Sequence, residues 1–366
     1  MAILRMLRGS AVVLFASNAA LALLTAASQG PSQEPRDTSR DKQHSHEQGG
    51  SRQGGKHHLV AKGLTLEEKM DPATHTITLR EGPLALPANT DHMSMPQPRA
   101  LLWSVPLDGW LLGYTPNLVD PSGQAVPGRV LHHVAWWNTS RSDFLCPNKE
   151  EHIFGAGGEL TKWREIPGYG YRVQKGDRIR VETMVHNPTN VSYDGVFLEV
   201  QVSYAEGNSG QAPKNIYPAW MDVQSCGTSA YDLPAGTSQA VGTVPVRYDG
   251  VLLGVGGHMH DYAKEIVLRD DTRQETVATL DPQVDERGHL LSMPVVTFDK
   301  GGYKLAAGDQ LKITATYDNT TGKLLPVGAM GIVVGYFVPA DESAMEALRR
   351  KPKSSKHEMA GMTHHH

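Results

Sequence analysis

The residues with the clearest chemical potential are two closely spaced pairs of histidines. His132 and His133 are adjacent within an apolar, strand-like run, and His258 and His260 follow a glycine-rich segment with one residue between them. Neutral imidazole is a common ligand of copper and zinc. Alternate residues of a strand lie on one face, so His258 and His260 can chelate one ion without distortion. His132 and His133 can share an ion only if their strand twists, bulges or ends there.

Two further candidate ligands follow these pairs along the chain. His186 ends a strand-like run just before a turn, and Met330 lies in an apolar run. Each also has a structural interpretation, since a lone histidine at a strand end is usually structural and methionine packs irregular gaps well. A thioether is a soft ligand that favours Cu(I) over zinc, so Met330 as a ligand would indicate copper.

The elements that must position these residues are short strands separated by turns. The strand-like runs before Cys226 are Thr76–Leu79, Ala100–Val105, Trp110–Tyr114, Arg129–Trp137, Arg178–His186 and Val196–Val202, and those after it are Gly242–Val246, Gly250–Val255, Ile266–Leu268, Gln310–Tyr317 and Ala329–Val338. Alternating strand and helix units are absent, which disfavours a doubly wound parallel sheet. We predict an all-β fold of two tandem antiparallel β-sandwich (jelly-roll-like) domains, each with one metal site.

The predicted organisation has five parts. Residues 1–27 resemble a signal peptide, with a retained membrane anchor as the alternative, and residues 28–58 have the composition of a disordered linker. Residues 59–232 and 233–340 are predicted to be the two sandwiches, with a connector over 231–236. Residues 341–366 are predicted to be a short helix over Asp341–Lys351 and a polar tail.

Composition and charge limit the function classes. Hydrophobic residues make up 39% of the chain, charged residues 20%, and the formal net charge is -4, which gives no indication of a nucleic-acid partner. The signal peptide predicts a secreted or periplasmic protein with no membrane association after its removal. In an oxidising compartment Cys146 and Cys226 could form one disulfide, but the sequence does not show that they are close enough.

Taken together, the candidate ligands resemble those of the copper type II, ascorbate-dependent monooxygenases, the family of peptidylglycine alpha-hydroxylating monooxygenase and dopamine beta-monooxygenase. The similarity covers about residues 85–339 and rests on the order of six residues: His132, His133, His186, His258, His260 and Met330. Nearby segments that also match are Met93–Met95, Gly176–Asp177 and Asp281–Gln283.

The resemblance implies two copper ions with different tasks. His132, His133 and His186 would hold an electron-transfer copper, and His258, His260 and Met330 would hold the catalytic copper that binds O2. Ascorbate or another one-electron donor would reduce both coppers, and a C–H bond of a small-molecule or peptide substrate would be hydroxylated. Asp261 and Tyr262 follow the second pair and either support the ligands or form only a turn.

This chain also departs from the family. The peptide-amidating enzyme has an arginine at the position of Gly256, and an asparagine and a tyrosine at those of Ile332 and Val334. The carboxylate clamp is therefore missing, and Met184 replaces a glutamine before the third histidine. These differences disfavour a peptidylglycine substrate and lead us to expect one that is uncharged or apolar near its reacting carbon.

Three alternatives remain open at this stage. A copper storage, delivery or sensing protein would account for the His- and Met-rich flanks, which contain His44, His46, His57, His58, His357, Met359, Met362, His364, His365 and His366. A structural or adhesion sandwich would leave the six residues scattered in space. A zinc hydrolase is a weaker alternative, because no carboxylate accompanies the candidate ligands at a recognisable spacing.

Overall fold

Alternation between apolar and polar residues places one side of each long strand in a core. In the strand Gln310–Asn319, Leu311, Ile313, Ala315 and Tyr317 are buried, and the residues between them are less buried. This period of two is the pattern of a strand with one face packed on a core. The same alternation runs along Tyr193–Glu206, the longest strand described.

The computed structural model describes residues 63–92, 94–160, 162–207, 210, 212–299 and 301–348, all of which belong to one compact unit. Its strands, in chain order, are β1 Thr65–Asp71, β2 Thr76–Leu86, β3 Leu101–Ser104, β4 Gly109–Val119, β5 Leu131–Ser142, β6 Glu150–Gly157, β7 Tyr169–Val173, β8 Arg178–Val185, β9 Tyr193–Glu206, β10 Lys214–Asn215, β11 Tyr217–Asp222, β12 Tyr231–Leu233, β13 Gly236–Pro245, β14 Gly250–His258, β15 Ala263–Asp270, β16 Glu275–Leu280, β17 Gln283–Val284, β18 Leu290–Ser292, β19 Val295–Thr297, β20 Tyr303–Leu305, β21 Gln310–Asn319, β22 Leu325–Ala329 and β23 Ile332–Pro339.

The N-terminal half contains two sheets. One has six strands in the order β1-β2-β9-β4-β7-β10, and the other has four in the order β3-β8-β5-β6. Every pairing in them is antiparallel except that of β10 with β7. Their inner faces contribute most of one hydrophobic core cluster, which includes Trp103, Trp136 and Phe154. Among the candidate ligands of this half, His132 and His133 lie in β5 of the smaller sheet, and His186 directly follows β8 of the same sheet.

The C-terminal half is also built from antiparallel sheets. One contains β11-β23-β14-β19 with β20 beside β14, a second has the order β13-β21-β15-β16, and two-stranded ribbons join β12 to β22 and β17 to β18. A second core cluster includes Tyr317, Phe337 and Met259. The predicted all-β fold with antiparallel sheets is confirmed.

The division into tandem domains stays a prediction. Strand β11 precedes the predicted boundary at 232/233 but pairs with β23. Within the predicted connector, Tyr231–Leu233 is a short strand that pairs with β22. Cys146 and Cys226 form a disulfide with their Cα atoms 5.7 Å apart, which answers the question that the sequence left open.

The described part of the predicted C-terminal helix differs in type from the prediction, and residues 349–351 of that prediction lie outside the described residues. Glu342–Leu348 form a 3-10 helix, in which residues three apart lie on the same side. Met345 and Leu348 have this spacing and are both buried, so packing of one narrow side explains the 3-10 form. Among the described residues no helix is long and apolar enough to span a membrane. The predicted signal peptide, linker, His-rich flanks and polar tail lie outside the described residues, as does Met93.

Candidate metal centre

A bulge at the start of β5 turns the two adjacent histidines towards each other. Leu131 pairs with Val185 of β8 but His133 pairs with Met184, so His132 is an extra residue in the ladder. The Nδ1 atoms of His132 and His133 lie 3.0 Å apart. This separation fits two nitrogens that share one ion at about 2.0 Å each, as well as a single N–H···N hydrogen bond. The strand therefore has one of the distortions that the two histidines would need in order to share an ion.

His186 lies beside this pair. It follows directly after β8, and its backbone N–H donates to the Val130 carbonyl at 3.2 Å. Its ring centroid is 5.2 Å from that of His132, at an interplanar angle of 74°. The end of β8 and the start of β5 thus bring together the three histidines that the sequence grouped.

A fourth histidine, His92, joins them from a loop that the sequence analysis did not consider. Its ring centroid lies 4.8 Å from that of His132. Two backbone hydrogen bonds join Thr90 to Asn187, the residue after His186. The Gln97 side chain donates to the His92 carbonyl at 2.8 Å and to the carbonyl of the last β8 residue at 3.0 Å. The loop is therefore fixed to the strand end that carries His186.

The second histidine pair lies at the end of β14. His258 is the last residue of the strand, and the rings of His258 and His260 have centroids 5.6 Å apart at an interplanar angle of 87°. The His260 and Met330 backbone N–H groups both donate to the Tyr317 hydroxyl, at 3.0 and 3.2 Å, and the hydroxyl donates to the Met330 carbonyl. Buried Tyr317 thus joins the backbones of two candidate ligands.

The two groups of histidines are in contact with each other. The ring centroids of His132 and His260 lie 5.2 Å apart. Histidines from both groups line a cavity of about 350 Å³, which we call the histidine cavity; among its lining residues are His92, Arg129, His132, His186, His258 and His260. Candidate ligands from the two halves of the chain therefore face one shared space.

Met330 lies in a neighbouring cavity of about 190 Å³, which we call the aromatic cavity. Its walls include His133, Trp137, His152, Trp163, Trp220 and Met330. His258 lines both cavities. Contacts between neighbouring rings therefore connect five of the six predicted ligands in one group, which we call the histidine cluster: His132, His133, His186, His258 and His260. Met330, the sixth, lines the aromatic cavity, which shares His258 with the histidine cavity.

Glu159 is the carboxylate closest to the candidate ligands. Its Oε1 lies 2.9 Å from His258 Nδ1, and only 2% of its side chain is exposed. Burial alone would raise the pKa of Glu159 and lower that of His258. The opposite charge and the hydrogen bond outweigh burial, so the pKa of Glu159 is lowered and that of His258 is raised. The pairing leaves His258 Nε2 available to a metal.

The other histidines of the cluster favour the neutral form. Burial, followed by repulsion from His258, lowers the pKa of His133 to about 4. Burial is also the main cause of the lowered pKa of His132, His186 and His260. A metal binds neutral imidazole, so these shifts keep the rings ready for ligation at neutral pH.

His260 offers a buried nitrogen that lacks a protein partner. Its Nε2 has no hydrogen bond within the part of the chain that the structure describes. The hydrogen bond to the Gly328 backbone therefore uses Nδ1. Such an orientation, with one ring nitrogen held by a carbonyl and the other bare, is typical of metal-ligating histidines.

The donor set fits copper in its chemistry but does not form a complete site. Imidazole nitrogens and a thioether are ligands that copper accepts. Within the described ranges, no group of three or more His, Cys, Asp or Glu side chains is placed to hold a metal ion. Copper binding would therefore require side chains of the cluster to move from these positions.

Sequence reasoning missed Glu159, Tyr317 and His92. None lies in the short stretches that carry the ligands, and Glu159 and His258 are 99 residues apart. Asp261 and Tyr262 were predicted either to support the ligands or to form a turn. The Asp261 carboxylate accepts from the Leu290 backbone at 2.8 Å, and Tyr262 has a positive φ of 69°, so both take part in a strand-end turn that borders the histidine cavity.

The chain is similar to two proteins described as probable copper-dependent oxygenases, and it spans about 60% of the length of the first. The chain is 28% identical over 245 residues to the probable copper-dependent oxygenase M1 of Phoma sp., covering 59% of this chain and 60% of that protein. It is 29% identical over 253 residues to the probable copper-dependent oxygenase clz3 of Cochliobolus lunatus, covering 61% of this chain and 77% of that protein. The names of these relatives agree with the copper chemistry of the donor set. They do not support the more specific resemblance to the peptidylglycine and dopamine monooxygenases.

No protein-family model matches the chain. Among solved structures, the major capsid protein P2 of bacteriophage PM2 aligns over 72% of this chain and 98% of its own, at 11% identity and a TM-score of 0.31. That likeness is too weak to bear on fold or function.

Proposed function

We propose that this protein is a copper-dependent monooxygenase that hydroxylates a C–H bond with O2 and an external one-electron reductant such as ascorbate. The observation that carries the proposal is the contact between the two histidine groups. The ring centroids of His132 and His260 are 5.2 Å apart, and both rings line the histidine cavity. The similarity to two probable copper-dependent oxygenases supports the same class of reaction.

In this proposal, His132, His133 and His186 hold one copper, and His258, His260 and Met330 hold the catalytic copper. His92 lies beside the first set as a fourth imidazole. When bound, copper would supply the one-electron chemistry that dioxygen activation needs. The protein's own contribution is positional, because Glu159 orients His258 and Tyr317 holds the backbones of His260 and Met330 together.

The two cavities suggest separate entrances for the reactants. The histidine cavity is the more polar, and Arg129 is the only Arg or Lys that lines it within the described part of the chain. The carboxylates of Glu159 and Asp261 line the same cavity, so Arg129 is the group that would have to pair with an anionic reductant such as ascorbate. The aromatic cavity lies on the side of Met330 and His258 and suits the substrate.

The main alternative is a copper storage or delivery protein without oxygenase activity. Such a protein has no need of a cavity shared by two ligand sets, nor of a second cavity beside Met330. A purely structural sandwich would leave the candidate ligands scattered, which is not the arrangement found. We therefore favour the oxygenase.

We also propose that the protein is exported, acts outside the cytoplasm and has no nucleic-acid partner. The disulfide between Cys146 and Cys226 supports export, because disulfides persist mainly in oxidising compartments.

The test is copper stoichiometry together with oxygen uptake by the ascorbate-reduced protein. The variants are Met330→Ala and His186→Ala, with His289→Ala as a matched control whose ring pairs with Asp285 outside the cluster. We expect the parent protein to bind two coppers per chain. Oxygen consumption should be lost in Met330→Ala and His186→Ala and retained in His289→Ala. Copper binding without oxygen reduction, over a broad set of substrates, would favour storage. Copper binding unaffected by either Met330→Ala or His186→Ala would refute the ligand assignment.

A further inference from the structure

The aromatic cavity has a wall of stacked rings. His152 lies between Trp137, with ring centroids 4.0 Å apart, and Trp220, with centroids 3.4 Å apart and rings inclined by only 8°. Trp163 forms another part of the wall, fixed by its indole N–H, which donates to the Gly155 carbonyl at 2.9 Å. Flat apolar walls of this kind favour a ring-shaped or otherwise planar occupant.

Charge further restricts what the cavity can hold. Glu159 and Glu182 line it, and no Lys or Arg does so among the described residues. Glu159 is hydrogen-bonded to His258, and Glu182 is ion-paired with Arg180. An anion would find no Lys or Arg in the described lining to pair with, and a cation would find both carboxylates already engaged. A neutral ligand avoids these costs.

Three residues of the wall carry a buried nitrogen that has no hydrogen-bond partner among the residues that the structure describes. These atoms are the indole nitrogens of Trp137 and Trp220 and Nε2 of His152. An indole nitrogen is only a donor, and burying it without an acceptor is costly. Burial holds the pKa of His152 well below its usual value, so its ring is neutral. Neighbouring atoms cover these nitrogens, so a ligand oxygen in the cavity would become their partner only if a ring of the wall shifted slightly.

Two glycines bring strand β6 close to the cavity. A Cβ on Gly155 would lie 2.8 Å from the Trp220 ring, and one on Gly157 would lie 2.6 Å from Glu159 and 2.9 Å from His258. Any side chain at either position would push against the aromatic wall or against the candidate ligand. The absence of side chains there lets the wall approach the metal ligands directly.

From this arrangement we infer that the aromatic cavity binds the reacting part of the substrate, and that this part is a neutral, ring-sized group carrying a carbonyl or hydroxyl oxygen. The inference rests on the proposed function, because two of the three ligands assigned to the catalytic copper, His258 and Met330, line this cavity together with His133. The volume of 190 Å³ suffices for one ring with a small substituent, since a cavity of about 150 Å³ takes up benzene.

The test compares probes of similar size and different charge. Acetophenone is the neutral ring ketone, benzoate the anion, benzylamine the cation and ethylbenzene the analogue without oxygen. Their binding to the copper-free full-length chain is measured by calorimetry, so that benzoate and benzylamine cannot ligate copper. We expect acetophenone to bind at least about tenfold more tightly than either charged probe, and more tightly than ethylbenzene.

Two variants locate the binding site. Ala135→Phe fills the cavity and should abolish acetophenone binding, whereas Ala307→Phe, at an exposed turn, should leave it unchanged. Should Ala135→Phe fail to fold, as judged by thermal unfolding, Trp137→Leu removes one face of the ring stack. That variant should weaken binding at least about fivefold.

The outcomes separate this inference from the proposed function. Absent or charge-preferring binding, in a protein that still binds two coppers and reduces oxygen, would overturn the inference alone. Acetophenone binding that Ala135→Phe removes, in a protein that binds no copper, would retain the cavity as a ligand site and overturn the oxygenase. Binding that Ala135→Phe leaves unchanged would overturn the assignment of this cavity.

Discussion

Glu159 and His258 form a buried carboxylate–imidazole pair, with 2.9 Å between Oε1 and Nδ1. The hydrogen bond fixes which ring nitrogen of His258 carries the proton and leaves Nε2 free for ligation. Carboxylates in this position hold a ligand ring in orientation and raise its basicity, and their loss typically weakens metal binding by about 10- to 100-fold.

We expect Glu159→Leu to reduce copper affinity at the second site within that range. Glu159→Gln should restore part of it, because the amide oxygen can still accept from Nδ1. Competition titration with a copper chelator measures both. The matched control is Asp285→Asn, which alters another carboxylate–histidine pair, with 2.8 Å between His289 Nδ1 and the Asp285 carboxylate. Equal affinities in all four proteins would contradict a positioning role for Glu159.

The Tyr317 hydroxyl is predicted to maintain the distance between His260 and Met330. Tyr317→Phe removes a group that bonds to both backbones, so we expect weaker copper binding at the second site and a lower melting temperature. Tyr231→Phe is the control, since the Tyr231 ring lies beside Tyr317 and its buried hydroxyl has no partner within the described residues. If both variants have the same effect on copper affinity, the hydroxyl bridge is not what holds the ligands.

The sequence was partly sufficient where the site depends on local geometry. The bulge at His132 is one of the distortions under which His132 and His133 could share an ion. His258 and His260 are close in space, but β14 ends at His258, so their arrangement is that of a strand end rather than of the regular strand period. The sequence was insufficient where distant segments meet. Which loop covers His132, and which carboxylate faces His258, depend on packing between sheets rather than on any local pattern. The sequence also did not indicate that the two histidine groups would touch.

His92 is predicted to contribute to the first copper site. If its imidazole is a fourth nitrogen donor, His92→Ala should lower Cu(II) affinity by about tenfold or more and change the copper hyperfine splitting in the electron paramagnetic resonance spectrum. His75→Ala is a suitable control, because His75 is exposed and contacts Tyr204 instead. An unchanged spectrum with unchanged affinity would exclude His92 from the ligand set.

Glu81 is predicted to make stability depend on pH independently of copper. Its side chain is buried, Oε2 accepts from the Thr183 hydroxyl at 2.5 Å, and Oε1 has no partner among the described residues. Burial raises the pKa of Glu81 from 4.5 to about 7, and the Thr183 hydrogen bond opposes this only in part. The folded state therefore binds more protons than the unfolded state between these two pH values.

The sign of the effect follows from this difference in bound protons. The stabilisation from protonated Glu81 is fully present below the unfolded pKa and is lost as the pH rises through about 7, by up to about 3 kcal/mol. Glu81→Gln has no charge to bury, so its free energy of unfolding should fall less between pH 5 and pH 8. Urea denaturation of the copper-free protein at both pH values measures the difference. Glu286→Gln, in an exposed turn, is the control. A pH dependence that is the same in Glu81→Gln and in the parent protein would show that Glu81 stays ionised in the fold.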